Sequence, residues 1–252
     1  MAKRERNVEE IEELVYDENE RRSTARFFAI LLSVITLFLL ILNFWSQNFS
    51  LVQVSGASMD KTLYNEEYLL AYKVIHPEYE LKRGDIVVVE VGDIPEWQAV
   101  NQNRPASQRT DFIIKRVIAL EGDIVRCTYG EMEICYAGTW DEMMDPAEYP
   151  FVTVDEPYAY YDEKTGGRWA PCNTFQYRIG EGEIFFLGDN RNNSKDSRYM
   201  QEGCSEIKRL YKATDVVAVV PDWALKHQTV LQNVLVDYPR NIRNFVKKLF
   251  KK

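Results

Sequence analysis

The chain has 252 residues, enough for one or two domains with a real hydrophobic core. An apolar content of 46% with 13% aromatics excludes an intrinsically disordered chain. The net charge of −8 is unevenly placed: residues 1–26 hold six basic and eight acidic side chains, 239–252 hold six basic and none acidic, and the stretch between carries −12, which excludes a broad basic nucleic-acid face.

In chain order, residues 1–26 read as a short polar arm with Val8, Ile11, Leu14 and Val15 at helical spacing. Phe27–Trp45 follows as 19 uncharged, apolar residues, long enough at about 1.5 Å per residue to span a bilayer core. The run is apolar all round rather than on one stripe, which favours a membrane span over a buried core helix. Arg21, Arg22 and Arg26 crowd its N-terminal side, and the first charge after it is Asp60. The positive-inside rule then predicts a single-pass protein of the cell membrane, with a cytoplasmic N-terminus and an extracytoplasmic remainder. A cleaved signal peptide is the rival. Its small-x-small triplet, Ser55-Gly56-Ala57, lies 12 residues beyond the apolar run, so an uncleaved signal anchor over 27–45 is favoured.

From residue 49 onward the pattern predicts strands: 49–54, 67–74, 85–91, 111–120, 183–187 and 215–220. Segments 123–129 and 131–137, joined around Gly130, predict a hairpin. Residues 138–176 are rich in Tyr, Trp, Pro, Asp and Glu without periodicity and read as a long insertion. In the tail 239–252, Ile242, Phe245, Val246 and Leu249 recur at i, i+3, i+4 and i+7, a basic amphipathic helix that either packs on the domain or touches a membrane surface. There is no CxxC pair among Cys127, Cys135, Cys172 and Cys204. If the hairpin centres on Glu131, Cys127 faces Cys135 and a cross-strand disulfide is open to them, with a second possible between Cys172 and Cys204; buried thiols are the alternative.

Four polar segments carry the chemistry. In Ser55-Gly56-Ala57-Ser58-Met59, small residues let the backbone turn tightly and expose the Ser58 hydroxyl. Arg83-Gly84-Asp85-Ile86 opens a predicted strand. In Ile113-Ile114-Lys115-Arg116-Val117-Ile118, burial in so apolar a strand lowers the lysine pKa and lets Lys115 accept a proton. Residues 188–198, GDNRNNSKDSR, form a dense polar loop directly after a core strand. Taken singly, the first is equally a plain turn, Lys115 equally a snorkelling side chain, and Asp196 with Arg198 an ordinary ion pair. His76 and His227 lie outside these segments, so neither a Ser-His-Asp triad nor a metal or cofactor site is expected.

Together the segments resemble the ordered motifs of bacterial type I signal peptidases. SGASMDKTL at 55–63, RGDIVVV at 83–89, IIKRVIALEGD at 113–123 and GEIFFLGDNRNNSKDSR at 182–198 match in order and spacing, behind an N-terminal anchor. The resemblance covers most of 45–221. It implies a mainly β fold, in which an antiparallel β-sheet catalytic core of 46–123 and 180–221 carries an inserted β-lid at 124–179, and leaves 222–252 as the basic tail. It implies removal of signal peptides from exported preproteins by a Ser-Lys dyad, after small-x-small sites such as Ala-x-Ala. Ser58 would be the nucleophile and Lys115 the general base. Ser194 would hydrogen-bond and orient the lysine, Asp196 and Arg198 would support the site, Met59 would pack near the substrate groove, and the Ser58 N–H would hold the oxyanion. Gly56 stands where some members carry a second oxyanion donor, and Lys61 stands where the motif usually has proline. Ala119 and Glu121 also depart from the usual VIGLPGD. The expected partners are preprotein signal peptides and the lipid bilayer, with no nucleic acid, and the expected state is monomeric. A soluble self-cleaving repressor-type protein shares the core but lacks an anchor, and a silent binding module would not need Ser58, Lys115 and Ser194 together.

Overall fold

The computed structural model describes residues 2–74, 79–161, 174–198 and 211–249, and the chain divides into two units, residues 1–48 and 49–252. His76, Cys172 and Cys204, and with the latter two the second disulfide expectation, fall outside the described residues.

The first unit is one helix, α1 (Ala2–Asn48). The polar arm and the apolar run are therefore continuous rather than two elements, and the helix ends three residues beyond Trp45. From Glu20 to Asn48 it is long and apolar enough to cross a membrane, and none of it is buried by protein. Its few hydroxyls are turned inward: Ser33 Oγ donates to the Ala29 carbonyl and Thr36 Oγ1 to the Leu32 carbonyl, both at 2.8 Å. Such i−4 bonds satisfy polar groups where no water would reach them.

The second unit is mainly β. A seven-stranded sheet is built from β1 (Phe49–Gln53), β2 (Tyr68–Lys73), β3 (Ile86–Glu90), β4 (Phe112–Leu120), β9 (Glu183–Leu187), β10 (Tyr211–Lys212) and β11 (Val216–Val220). Their order is β1-β2-β11-β3-β4-β9-β10, with every pair antiparallel. The predicted antiparallel β core is thus the observed one. β3 shows why the sheet sits centrally. Its β-branched residues alternate between two cores, Val87 and Val89 packing with Val117, Phe186 and Tyr211 on one face, Ile86 and Val88 with Met59, Leu63 and Leu69 on the other.

A separate four-stranded sheet is made by β5 (Ile124–Thr128), β6 (Glu131–Cys135), β7 (Val152–Thr153) and β8 (Thr174–Arg178), in the order β7-β6-β5-β8. It packs on the first sheet through Ile118, Ala119, Phe185 and Leu187. The β5–β6 hairpin corrects one expectation. Tyr129 and Gly130 both take positive φ, 50° and 84°, the signature of a two-residue type I′ turn. The hairpin therefore centres between them and not on Glu131. Cys127 lies opposite Met132 and Cys135 opposite Ile124, and both cysteines are buried thiols, not a disulfide.

Two helical segments complete the unit. α2 (Pro95–Asn101) lies between β3 and β4. After β11 the chain runs through α3 (Asp222–Lys226), α4 (Gln228–Gln232), a π-helical turn over Asn233–Asp237 and α5 (Tyr238–Leu249).

Candidate active site

Ser58 lies in the connection between β1 and β2. That connection is clamped at its base, where Val54 N–H donates to Glu67 O at 2.8 Å and Glu66 N–H donates back to Val54 O at 2.9 Å. Gly56 takes φ 92°, a region closed to most side chains, and its N–H donates to Asn65 Oδ1 at 2.8 Å. Met59 and Leu63 drive into the core beneath. The turn is thus pinned from below, and Ser58 stands above it. Among the described residues no group accepts from the Ser58 N–H.

Lys115 comes from the middle of β4, on the same face as Ile113 and Val117. It is only 3% exposed. Its Nζ lies 2.9 Å from Ser58 Oγ and 2.8 Å from the Ile114 carbonyl. Burial lowers its pKa from 10.5 to about 8; Asp196 and Asp189 oppose that shift, and Arg198 adds to it. Desolvation of the charged form wins because neither carboxylate contacts the ammonium directly, each being engaged by an arginine.

Both carboxylates come from the loop after β9, and the arginines from β4 and from that loop. Asp189 receives both Arg116 Nε (2.9 Å) and Nη2 (2.7 Å), and its Oδ2 also accepts from Thr62 Oγ1 at 2.5 Å. Arg116 rests on Tyr158, its Cζ 3.9 Å from the ring centroid. Asp196 receives Arg198 Nε and Nη2, both at 2.9 Å, and the Gly188 N–H at 3.0 Å. Burial raises the Asp196 pKa, but Arg198 and these hydrogen bonds outweigh it and hold the carboxyl below its ordinary range. Asn190 fastens the loop to the Ser58 turn. Its Nδ2 donates to Ala57 O and its backbone N–H to Ser58 O, each at 3.0 Å.

The loop is fixed from the other side as well. Arg191 is buried and forms a bidentate pair with Glu156, at 2.7 and 2.5 Å. Tyr160 N–H donates to Asp189 O at 2.7 Å, and Arg191 N–H to Tyr160 O at 2.9 Å. Glu156 and Tyr160 belong to the segment following β7, so the smaller sheet's connection braces the loop. A further motif joins the frame through Arg83, which pairs with buried Asp123 at 2.8 and 2.6 Å. Gly84 O accepts from Arg116 Nη1 at 3.0 Å.

Of the expected residues, Ser58, Lys115, Gly56 and Met59 converge on one place, and Asp196 pairs with Arg198 beside it. Ser194 is brought close but does not make the expected hydrogen bond to Lys115. Its Oγ is buried, wedged against Gly188 and close enough to Asp196 to help hold that carboxyl low, while Lys115 already engages Ser58 Oγ and Ile114 O. The packing there is tight enough that a Cβ on Gly188 would fall 2.5 Å from both Ser58 O and Ser194 Cβ. Lys61 holds φ 79°, a conformation a proline ring cannot adopt, and its Nζ lies 4.9 Å from the centroid of Tyr160. Sequence reasoning missed Thr62, Asp189, Asn190, Glu156 and Arg191 as site-building residues. Asp189 and Asn190 were legible as part of the dense loop, whereas Glu156 sat in a segment with no pattern.

A groove of about 610 Å³ opens at Ser58 and Lys115. Its walls include Val52, Val54, Met59, Ile113 and Ile114. Two bare strand edges run along it. Among the described residues β1 pairs only with β2, and Phe112–Lys115 pair only with β3, because β9 joins β4 from Arg116 onward. Among the described residues no group of three or more His, Cys, Asp or Glu side chains is arranged to hold a metal ion. A buried amine beside a serine hydroxyl, opening on a cleft of mixed polar and apolar lining, is equipped for acyl transfer.

The family model "Signal peptidase, peptidase S26" matches residues 24–219. The chain is 30% identical over 184 residues to signal peptidase I of Bacillus licheniformis, covering 71% of this chain and 81% of that one. It is 29% identical over 180 residues to signal peptidase I of Pseudomonas fluorescens, covering 68% and 59%. A crystal structure of a signal peptidase I from Enterococcus faecalis aligns with 22% identity and a TM-score of 0.29, over 57% of this chain and 98% of that one.

Proposed function

Since the chain belongs to the signal peptidase family, peptidase S26, and is a serine endopeptidase, we propose that it removes signal peptides from exported preproteins with a Ser58–Lys115 dyad. The observation that carries this reading is the 2.9 Å approach of a buried, low-pKa lysine to Ser58 Oγ at the head of a groove. Neutral Lys115 takes the Ser58 proton as Oγ attacks the scissile carbonyl. The Ser58 N–H stabilises the resulting oxyanion. The intermediate collapses, the C–N bond breaks, and Lys115 returns the proton to the departing amine. Lys115 then deprotonates a water that attacks the acyl-serine carbonyl; the C–Oγ bond breaks, Lys115 passes the proton to Ser58 Oγ, and the signal peptide leaves with its new carboxylate.

The substrate is held as an extended strand between the bare edges of β1 and β4, where backbone hydrogen bonds supply register. The apolar walls formed by Val52, Val54, Ile113 and Ile114 leave room for small side chains, which supports cleavage after small-x-small sites. Residues 27–45 of α1 anchor the enzyme in the cell membrane, with 1–26 cytoplasmic and the β domain outside, as the arginines before the span favour.

The test is cleavage of a preprotein carrying an Ala-x-Ala site by the full chain in detergent, beside Ser58→Ala and Lys115→Ala. The expected result is a cut after the second alanine, with both variants folded and inactive. A parent chain inert on several such substrates, or a Lys115→Ala variant that keeps its rate, overturns the dyad.

A further inference from the structure

The C-terminal helix remains outside everything described so far. α4 packs against β2, with Gln232 Oε1 accepting from Tyr68 N–H at 3.2 Å. Beyond the π-helical turn lies α5. Within α5, Tyr238 is 60%, Ile242 64% and Val246 42% exposed. These three are spaced i, i+4, i+8 and form a single stripe. Arg240, Arg243 and Lys247 lie off that stripe, since at about 100° per residue each sits roughly 100° or more from Ile242. Of the four apolar residues that the sequence places along this helix, Ile242 and Val246 are exposed. Its apolar stripe faces outward, with a cationic face behind it.

Two observations identify what covers the stripe. The first is charge. Residues 239–252 carry six basic side chains and no acidic one, on a chain whose 49–238 stretch carries −12. An acidic domain is repelled by an anionic surface, and this helix is the part of it that an anionic surface attracts. The second is position. The Trp223 ring of α3, itself 44% exposed, packs edge-on against Phe49, with centroids 6.2 Å apart. Phe49 is the first residue after α1, so the terminal helices spring from the place where the chain enters the β domain. Exposed Trp223, on α3, and Tyr238, at the start of the basic amphipathic helix, are residue types suited to a lipid headgroup region.

We propose that α5 lies in the plane of an anionic phospholipid surface, seating the Tyr238–Ile242–Val246 stripe among the acyl chains with Arg240, Arg243 and Lys247 at the phosphates. It gives the domain a second membrane attachment that does not depend on the Ser58–Lys115 chemistry.

The test uses the full chain in nanodiscs of phosphatidylcholine alone or mixed with phosphatidylglycerol, read by hydrogen exchange of the backbone amides in 240–249. Exchange is expected to be at least about tenfold slower in the anionic discs. Ile242→Glu, and separately Arg240→Gln with Arg243→Gln and Lys247→Gln, are expected to remove that difference while leaving cleavage of a short soluble peptide unchanged. Equal exchange in the two lipids overturns the proposal. So does protection in lipid-free detergent that grows with protein concentration, which would assign the stripe to a second copy of the chain.

Discussion

At the scale of single residues, Lys115 sets both the working pH and a stability cost. Its pKa of about 8 leaves roughly a tenth of the lysine neutral at pH 7. The kcat/KM profile for a preprotein is therefore expected to rise with pH to a midpoint near 8, and a midpoint near 10 would show a lysine as solvated as in a peptide. The sign for stability follows from the same shift. The folded pKa lies below the unfolded 10.5, so below pH 8 both states are charged and folding bears the full desolvation cost. Between about 8 and 10.5 the unfolded state holds more protons, and stability rises with pH. Lys115→Met is thus expected to stabilise the protein at pH 7, by up to about 3 kcal/mol. That gain should fade as pH climbs through the window, as measured by urea unfolding. A loss of stability at pH 7 would mean that the lysine's two hydrogen bonds outweigh its desolvation.

At the scale of elements, the site is a strand, a turn and a loop held in register by contacts far apart in sequence. Gly188, where β9 gives way to the loop, is packed so tightly against the Ser58 turn that no side chain fits. Gly188→Ala would drive a methyl into Ser58 O and Ser194. The expected result is a fall in kcat on the order of a hundredfold with a smaller change in KM, since the turn moves while the groove walls stay. An equal loss in both would place the damage in the groove. The sequence pattern made the strands legible, because β3, β4 and β9 are dense in β-branched and aromatic residues bounded by polar turns. Small neighbours flagged Ser58 and apolar ones flagged Lys115, but only the resemblance of the four segments taken together singled the two out as a pair. Hairpin register was not legible, because a tyrosine at φ 50° gives no compositional sign of a type I′ turn. Nor were the links from Thr62 to Asp189 or from Glu156 to Arg191, which arise only when the sheets assemble.

At the scale of the whole β domain, the two sheets are joined by an apolar seam and by the buried ion pair of Glu156 with Arg191. Glu156 and Arg191 are almost fully enclosed, Arg191 also donating to Gly188 O at 3.1 Å. Removing either partner leaves a buried charge alone, so Glu156→Gln is expected to cost about 3–5 kcal/mol in unfolding free energy. Glu156→Leu with Arg191→Met should recover most of that stability without recovering activity, because the loop over Ser58 would lose its brace. A double variant as active as the parent would show that the pair serves folding alone.

The left-handed backbone at Lys61 has a consequence for anyone redesigning this enzyme from its relatives. A consensus approach would install the proline that the motif usually carries and expect a stiffer, more thermostable catalyst. This backbone reverses that outcome, because a ring locked near φ −65° cannot reach 79° without rebuilding the turn beneath Ser58. Lys61→Pro should lower Tm and activity together, while Lys61→Gly, which no family average would choose, should raise Tm by relieving about 1 kcal/mol of strain.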